Sequence, residues 1–93
     1  MEKEQIHCSY TEEQRKAHEK QFLENKPSDC VDSIDNQANV KIGDMVVVRN
    51  AYGVLVGPYK VLGFCMWQNE PCMFLDWDCW WYPKEISYLH EIV

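Results

Sequence analysis

Positive charge is scarce in this chain. Its 93 residues include 9 Lys and Arg against 15 Asp and Glu, which gives a net charge of −6. Proteins that hold a nucleic-acid backbone without sequence preference use clustered Lys and Arg, which displace the counterions of the phosphates. The charge balance therefore argues against nonspecific nucleic-acid binding.

Long apolar runs are also missing. No stretch approaches the roughly 18 apolar residues of a membrane span, and the opening residues MEKEQIHCSY lack the apolar run of a signal peptide. The five cysteines are an odd number, which argues against a disulfide framework. We expect a soluble, cytoplasmic protein with reduced thiols and no membrane association.

Close pairs of metal-binding residues are absent as well. Cys65, Cys72 and Cys79 recur at regular spacing, but no CxxC or HxxxH pair accompanies them, and structural zinc sites usually contain such pairs. Asp76 and Asp78 could form a catalytic carboxylate pair, yet a barrel of about fifty residues leaves little room for a water-excluding cleft. We expect no metal, no cofactor and no enzymatic activity.

The residues that are present divide the chain near residue 40. Apolar residues make up 46% of the chain and aromatic residues 13%, which is enough for one modest core. Residues 1–39 are polar, and Thr11 with Gln14 forms a capping-box pattern that predicts a helix over residues 12–23. The apolar side of this helix is thin. We therefore predict an N-terminal helix appendage and linker over 1–39.

Residues 40–93 have the composition of a small β domain. β-Branched and aromatic runs between Gly, Pro and Asn turns predict strands at residues 45–49, 59–67, 72–82 and 88–93, with a further short segment at 54–56. About five short strands are best arranged as a small antiparallel barrel, because closure removes exposed strand edges. We predict a mainly β fold of this kind.

The register of the hairpin formed by strands 59–67 and 72–82 predicts two faces. A four-residue loop that pairs Trp67 with Cys72 places Trp77 and Trp81 on the buried face. Asp76 and Asp78 then share the other face. Two neighbouring carboxylates repel each other and are costly to bury unpaired, so we expect their surroundings to be solvated.

One set of motifs resembles a known family. The segment KIGDMVVV, a Gly-Pro turn into YKVLGF, a Trp-rich strand, a proline, a short turn and YLHEI follow one another over residues 40–93. This order resembles the SH3-like barrels of small prokaryotic and phage proteins, including their KOW and Tudor-type relatives. The resemblance implies a compact, non-enzymatic binding barrel. The ALYDY-like segment of eukaryotic SH3 domains is absent, so polyproline binding is not implied.

An acidic, aromatic face is the candidate functional surface. In SH3-like barrels, aromatic residues near the barrel mouth form grooves, and neighbouring acids favour a cationic or arginine-containing peptide. Alternatively, the helix could cover Trp80 through Phe22 and Leu23. The candidate partner-binding residues are Tyr52, Tyr59, Trp67, Asp76, Asp78, Trp80 and Tyr82.

Two function classes are compatible with these residues. The first is a small protein-binding module that docks a basic partner surface, such as an accessory or inhibitory protein of a phage or mobile element. The second is single-stranded nucleic-acid binding by aromatic stacking, which the shortage of basic residues disfavours. A homodimer formed through the Trp80 face could coexist with the first class.

Overall fold

The computed structural model describes residues 5–8 and 10–93. Helix α1 spans Glu12–Glu24. The strands are β1 (Met45–Arg49), β2 (Leu55–Trp67), β3 (Glu70–Leu75), β4 (Lys84–Glu85) and β5 (Leu89–Ile92), and a 3-10 turn (Ile86–Tyr88) connects the last two.

The five strands form one antiparallel sheet in the order β4-β3-β2-β1-β5. The predicted mainly β fold of five antiparallel strands with an N-terminal helix is confirmed. The sheet is not closed into a barrel, because β4 and β5 do not pair with each other in the described part of the chain. These two strands therefore form the edges of the sheet.

The hairpin between β2 and β3 has a tighter turn than the sequence predicts. Gln68 and Asn69 both adopt positive φ, at 51° and 64°, as in the two-residue turns whose twist matches that of the adjoining strands. Trp67 therefore pairs with Glu70, and the predicted pairing of Trp67 with Cys72 is wrong. Because the shift is two residues, Cys65 and Cys72 still share a face.

Both faces of this hairpin are buried. One face packs into a core cluster around Phe64, Met73 and Leu75. The opposite face carries Cys65, Cys72 and Phe74, which pack with Leu62 and with Phe22 of α1. The helix therefore covers the side of the sheet that the first cluster leaves open.

Helix α1 starts as the sequence predicts and reaches the sheet near its end. The Thr11 hydroxyl accepts the Gln14 N–H, and the Gln14 side chain accepts the Thr11 N–H, so the capping box is confirmed. Phe22 is completely buried, with its ring 5.4 Å from that of Phe74. Gly63 makes room for Cys30 beside this pair, since a Cβ there would lie 2.5 Å from the Cys30 Sγ but at an ordinary contact distance from the Phe22 ring.

Strand β3 ends at Leu75, and the prediction that it continues to residue 82 is wrong. The Asp76 carboxylate accepts the Lys60 N–H at 2.9 Å, where a continuing strand would offer a backbone carbonyl. A side chain that replaces a backbone partner in this way diverts the chain from the ladder. Asp76 is therefore 3% exposed, and Trp81, predicted to be buried, is 57% exposed.

The described residues include a single α-helix, which is 13 residues long. A membrane-spanning helix needs greater length and more continuous apolar character, and none occurs in residues 5–8 and 10–93.

Candidate functional site

Exposed aromatic side chains gather where the β2–β3 hairpin meets the 3-10 turn. Trp67 ends β2, Tyr82 lies just before β4, and Tyr88 ends the 3-10 turn. They line a cleft of about 170 Å³ together with Ala51, Pro83, Lys84 and Glu85. We call the surface formed by Trp67, Tyr82 and Tyr88 the aromatic cleft.

The rings of the aromatic cleft are partly open to solvent and hold one another in place. Trp67 and Tyr82 meet edge to face, with centroids 5.9 Å apart and planes at 78°. The exposed fractions of Trp67, Tyr82 and Tyr88 are 41%, 46% and 45%. Rings that are oriented by neighbours and still accessible can contact a ligand without further ordering.

A cation already lies on one of these rings. The Lys84 Nζ is 4.3 Å from the centroid of Tyr88, within the range of a cation–π contact. Partial burial lowers the pKa of Lys84 from its ordinary value, while the neighbouring Glu85 carboxylate raises it. This face of Tyr88 is therefore already occupied by the chain's own cation.

Tyr52 lies beside the aromatic cleft on the turn between β1 and β2. Its side chain is 91% exposed, and its neighbour Ala51 lines the cleft. The Asn50 side chain fixes this turn by accepting the N–H groups of Tyr52 and Val54. Tyr52 is thus presented to solvent on an ordered turn.

Two predicted site residues are almost completely buried, and neither lines the aromatic cleft. Tyr59 is 3% exposed and packs in the first core cluster, with its ring 5.8 Å from Trp77. Asp76 is also 3% exposed, so the expectation of solvated surroundings is wrong. Burial raises the pKa of Asp76, an effect that the Lys60 N–H and the Arg15 charge partly oppose.

The remaining predicted residues contact the N-terminal part of the chain. Asp78 accepts a hydrogen bond from the Tyr10 hydroxyl, which lowers the pKa of Asp78. The Trp80 Nε1–H donates to the Gln21 side chain at 2.8 Å, and its ring packs against the second cluster. Helix α1 therefore partly covers Trp80, through Gln21 and Phe22, while Leu23 stays 59% exposed.

The structure thus brings together Trp67 and Tyr82, with Tyr52 on the adjoining turn, and separates them from Tyr59, Asp76, Asp78 and Trp80. Sequence reasoning missed Tyr88 and Lys84. The sequence predicts a strand at Tyr88 and a turn at Lys84 after Pro83. Spacing in such elements gives no signal that would bring the two side chains together, since the four-residue rule applies to α-helices.

Acidic and sulfur-bearing side chains do not gather into a metal site. No group of three or more His, Cys, Asp or Glu side chains suited to an ion occurs in residues 5–8 and 10–93. Burial raises the pKa of Cys79 and, to about 11, that of Cys65, which reduces the thiolate fraction that nucleophilic chemistry requires. The exposed aromatic side chains are therefore the groups of this site that we consider for ligand contact.

Comparison of the chain with known protein families, with curated proteins and with solved structures finds no match.

Proposed function

We propose that this chain is a small, non-enzymatic protein-binding module that contacts its partner through the aromatic cleft. The observation that carries the proposal is the cluster of three partly exposed rings around one cleft. Tyr and Trp are enriched among the residues that dominate binding energy, because each buries a large area at a small cost in conformational entropy.

The arrangement of the strands is compatible with an SH3-like fold. The five antiparallel strands all lie within residues 40–93, and β2 pairs with both β1 and β3. The resemblance over residues 40–93 implies a binding barrel, and the aromatic cleft lies where two turns and the end of β2 converge. We propose the SH3-like fold on these grounds.

The partner is a protein with a basic surface. The net charge of −6 attracts positively charged surfaces and repels nucleic acid. A homodimer is the alternative protein partner, and the oligomeric state in solution distinguishes it.

Trp67→Ala tests the proposal, with Trp81→Ala as its matched control. Both tryptophans are exposed, but Trp67 lines the cleft whereas Trp81 contacts Trp80 outside it. Affinity capture from nuclease-treated lysate supplies candidate partners, and the binding of each purified candidate is then measured. We expect one candidate to bind both the wild type and Trp81→Ala. We expect Trp67→Ala to bind this partner at least tenfold more weakly, because truncating a central interface tryptophan costs about 2 kcal/mol of binding free energy.

Two outcomes would contradict this function. Equal binding by all three proteins would remove the aromatic cleft from the interface. A labelled single-stranded oligonucleotide that binds the wild type and is lost with Trp67→Ala would instead identify a stacking surface for nucleic acid. Thermal melting of both variants shows whether either change has disturbed the fold.

A further inference from the structure

A second concavity adjoins the aromatic cleft. It has a volume of about 450 Å³ and lies between the loop at residues 35–38, the start of β3 and the 3-10 turn. Its apolar lining residues are Ala38, Pro71, Ile86 and Leu89, and its polar ones are Asp35, Asn36, Gln37, Glu70 and Ser87. We call it the acidic groove.

The charge of the acidic groove has one sign. Of the described residues that line it, Asp35 and Glu70 carry carboxylates and none is Lys or Arg. Both acids are exposed, whereas Ile86 is 6% exposed and belongs to the first core cluster. The groove thus has a fixed apolar floor with negative charge at its rim.

The acidic groove also lies beside β5, an edge strand of the sheet. Leu89 is the first residue of β5, and β5 pairs only with β1 among the described strands. An unpaired strand edge offers N–H and C=O groups to an added extended chain. The N–H of Leu89, however, already donates to the Ile86 carbonyl, so a ligand in this groove relies on side-chain contacts.

The aromatic cleft and the acidic groove share a wall. Trp67 lines the cleft, and its register partner Glu70 lines the groove. Tyr88 and Ser87, consecutive in the 3-10 turn, are divided in the same way. Paired residues on neighbouring strands lie about 5 Å apart, so a few extended residues span both concavities.

From this arrangement we infer that the ligand is an extended peptide whose Lys or Arg side chain binds the acidic groove while a neighbouring apolar or aromatic residue contacts the aromatic cleft. The inference rests on the proposed function and specifies the chemistry of its partner. Charge complementarity selects the cationic residue, and the apolar floor accommodates the methylene stem of Lys or Arg.

A phage-displayed library of random 12-residue peptides is the probe. Peptides selected on the wild type are measured against three variants: Trp67→Ala, the pair Asp35→Asn and Glu70→Gln, and the pair Glu13→Gln and Glu24→Gln. The last pair removes the same charge from exposed positions on α1 and controls for net charge. Thermal melting verifies that each variant is folded.

We expect the selected peptides to be enriched in Lys or Arg. The groove variant should bind them about fivefold to 25-fold more weakly, as expected for two partly exposed ion pairs, and the helix variant should stay within about twofold of the wild type. Replacing the basic residue of the peptide by Gln should weaken binding to the wild type and have little further effect on the groove variant.

The failures are distinguishable. Peptides that need Trp67 but bind the groove variant as tightly as the wild type would overturn the acidic groove and leave the protein-binding role intact. Peptides that bind Trp67→Ala normally, or a library that yields no binder, would overturn both.

Discussion

Asp76 and Asp78 are two residues apart and lie in opposite environments. Burial raises the pKa of Asp76 above its ordinary value of 3.8, whereas the hydrogen bond from Tyr10 lowers that of exposed Asp78 below the same value. Sequence alternation predicted one shared, solvated face. It could not separate the two, because Asp76 depends on the Lys60 N–H and on α1, and Asp78 depends on Tyr10, all of which are distant in sequence.

The two carboxylates should affect stability with opposite dependence on pH. Folded Asp76 retains its proton to higher pH than the unfolded chain does, so its contribution falls as pH rises above 3.8. Asp78 contributes stability above 3.8 that is lost as pH falls through its lower folded pKa.

Urea denaturation between about pH 2 and 7 measures both effects. Relative to Asp76→Asn, the wild type should lose stability as pH rises above 3.8. Relative to Asp78→Asn, it should gain stability as pH rises toward 3.8. If the free energy of unfolding of the wild type, relative to each variant, changed with pH in the same direction for both variants, the environments assigned to Asp76 and Asp78 would be incorrect.

Helix α1 depends on one residue for its attachment to the second core cluster. Phe22 is completely buried, whereas the adjacent Leu23 is 59% exposed. The sequence located the helix through Thr11 and Gln14, but its thin apolar side gave no reason to rank Phe22 above Leu23. Only the position of the sheet face, where Phe22 packs against Phe74, distinguishes the two residues.

Phe22→Ala should destabilise the fold by about 3–5 kcal/mol, because it removes a buried aromatic ring and leaves a cavity. Leu23→Ala is the control on the same helix and should cost less than about 0.5 kcal/mol. Chemical denaturation measures both free energies of unfolding. Similar small losses would mean that α1 does not cover the sheet.

The β2–β3 hairpin shows which parts of an element the sequence can predict. The alternation of β-branched and aromatic residues located the hairpin, but not the ends of its strands or the exposure of Trp81. The turn differed because Gln68 and Asn69 adopt positive φ without glycine, and the end of β3 differed because Asp76 replaces a backbone acceptor. Both differences arise from local backbone conformation and hydrogen bonding, which the pattern of apolar residues does not reveal.

At the scale of the whole molecule, the mainly β class and the number of strands could be predicted from the sequence, whereas closure of the sheet into a barrel could not. The sheet has five antiparallel strands, as predicted in number, but the segment predicted at 54–56 belongs to β2 and β4 was not predicted, and the two edge strands do not pair with each other in the described residues. β4 has only two residues, which is too short to be recognised by alternation and too short to pair extensively. Short edge strands are one means by which sheets limit aggregation.

Hydrogen exchange monitored by NMR tests whether β4 and β5 remain unpaired with each other. Amides of β2, which has partners on both sides, should exchange most slowly. Amides of β4 and β5 that face away from their single partner strands should exchange fastest within the sheet, because solvent reaches them without unfolding. Protection of those outer amides equal to that of β2 would mean that the sheet closes.

The cysteines differ sharply in accessibility, which has a practical consequence for labelling. Cys8 is exposed, whereas Cys65 and Cys72 are buried under α1. Burial raises the pKa values of Cys30, Cys65, Cys72 and Cys79, which disfavours the thiolate that reacts with maleimides. A fluorophore added in limiting amount therefore couples first at Cys8, so the native chain can be labelled site-selectively for binding measurements without removing any cysteine.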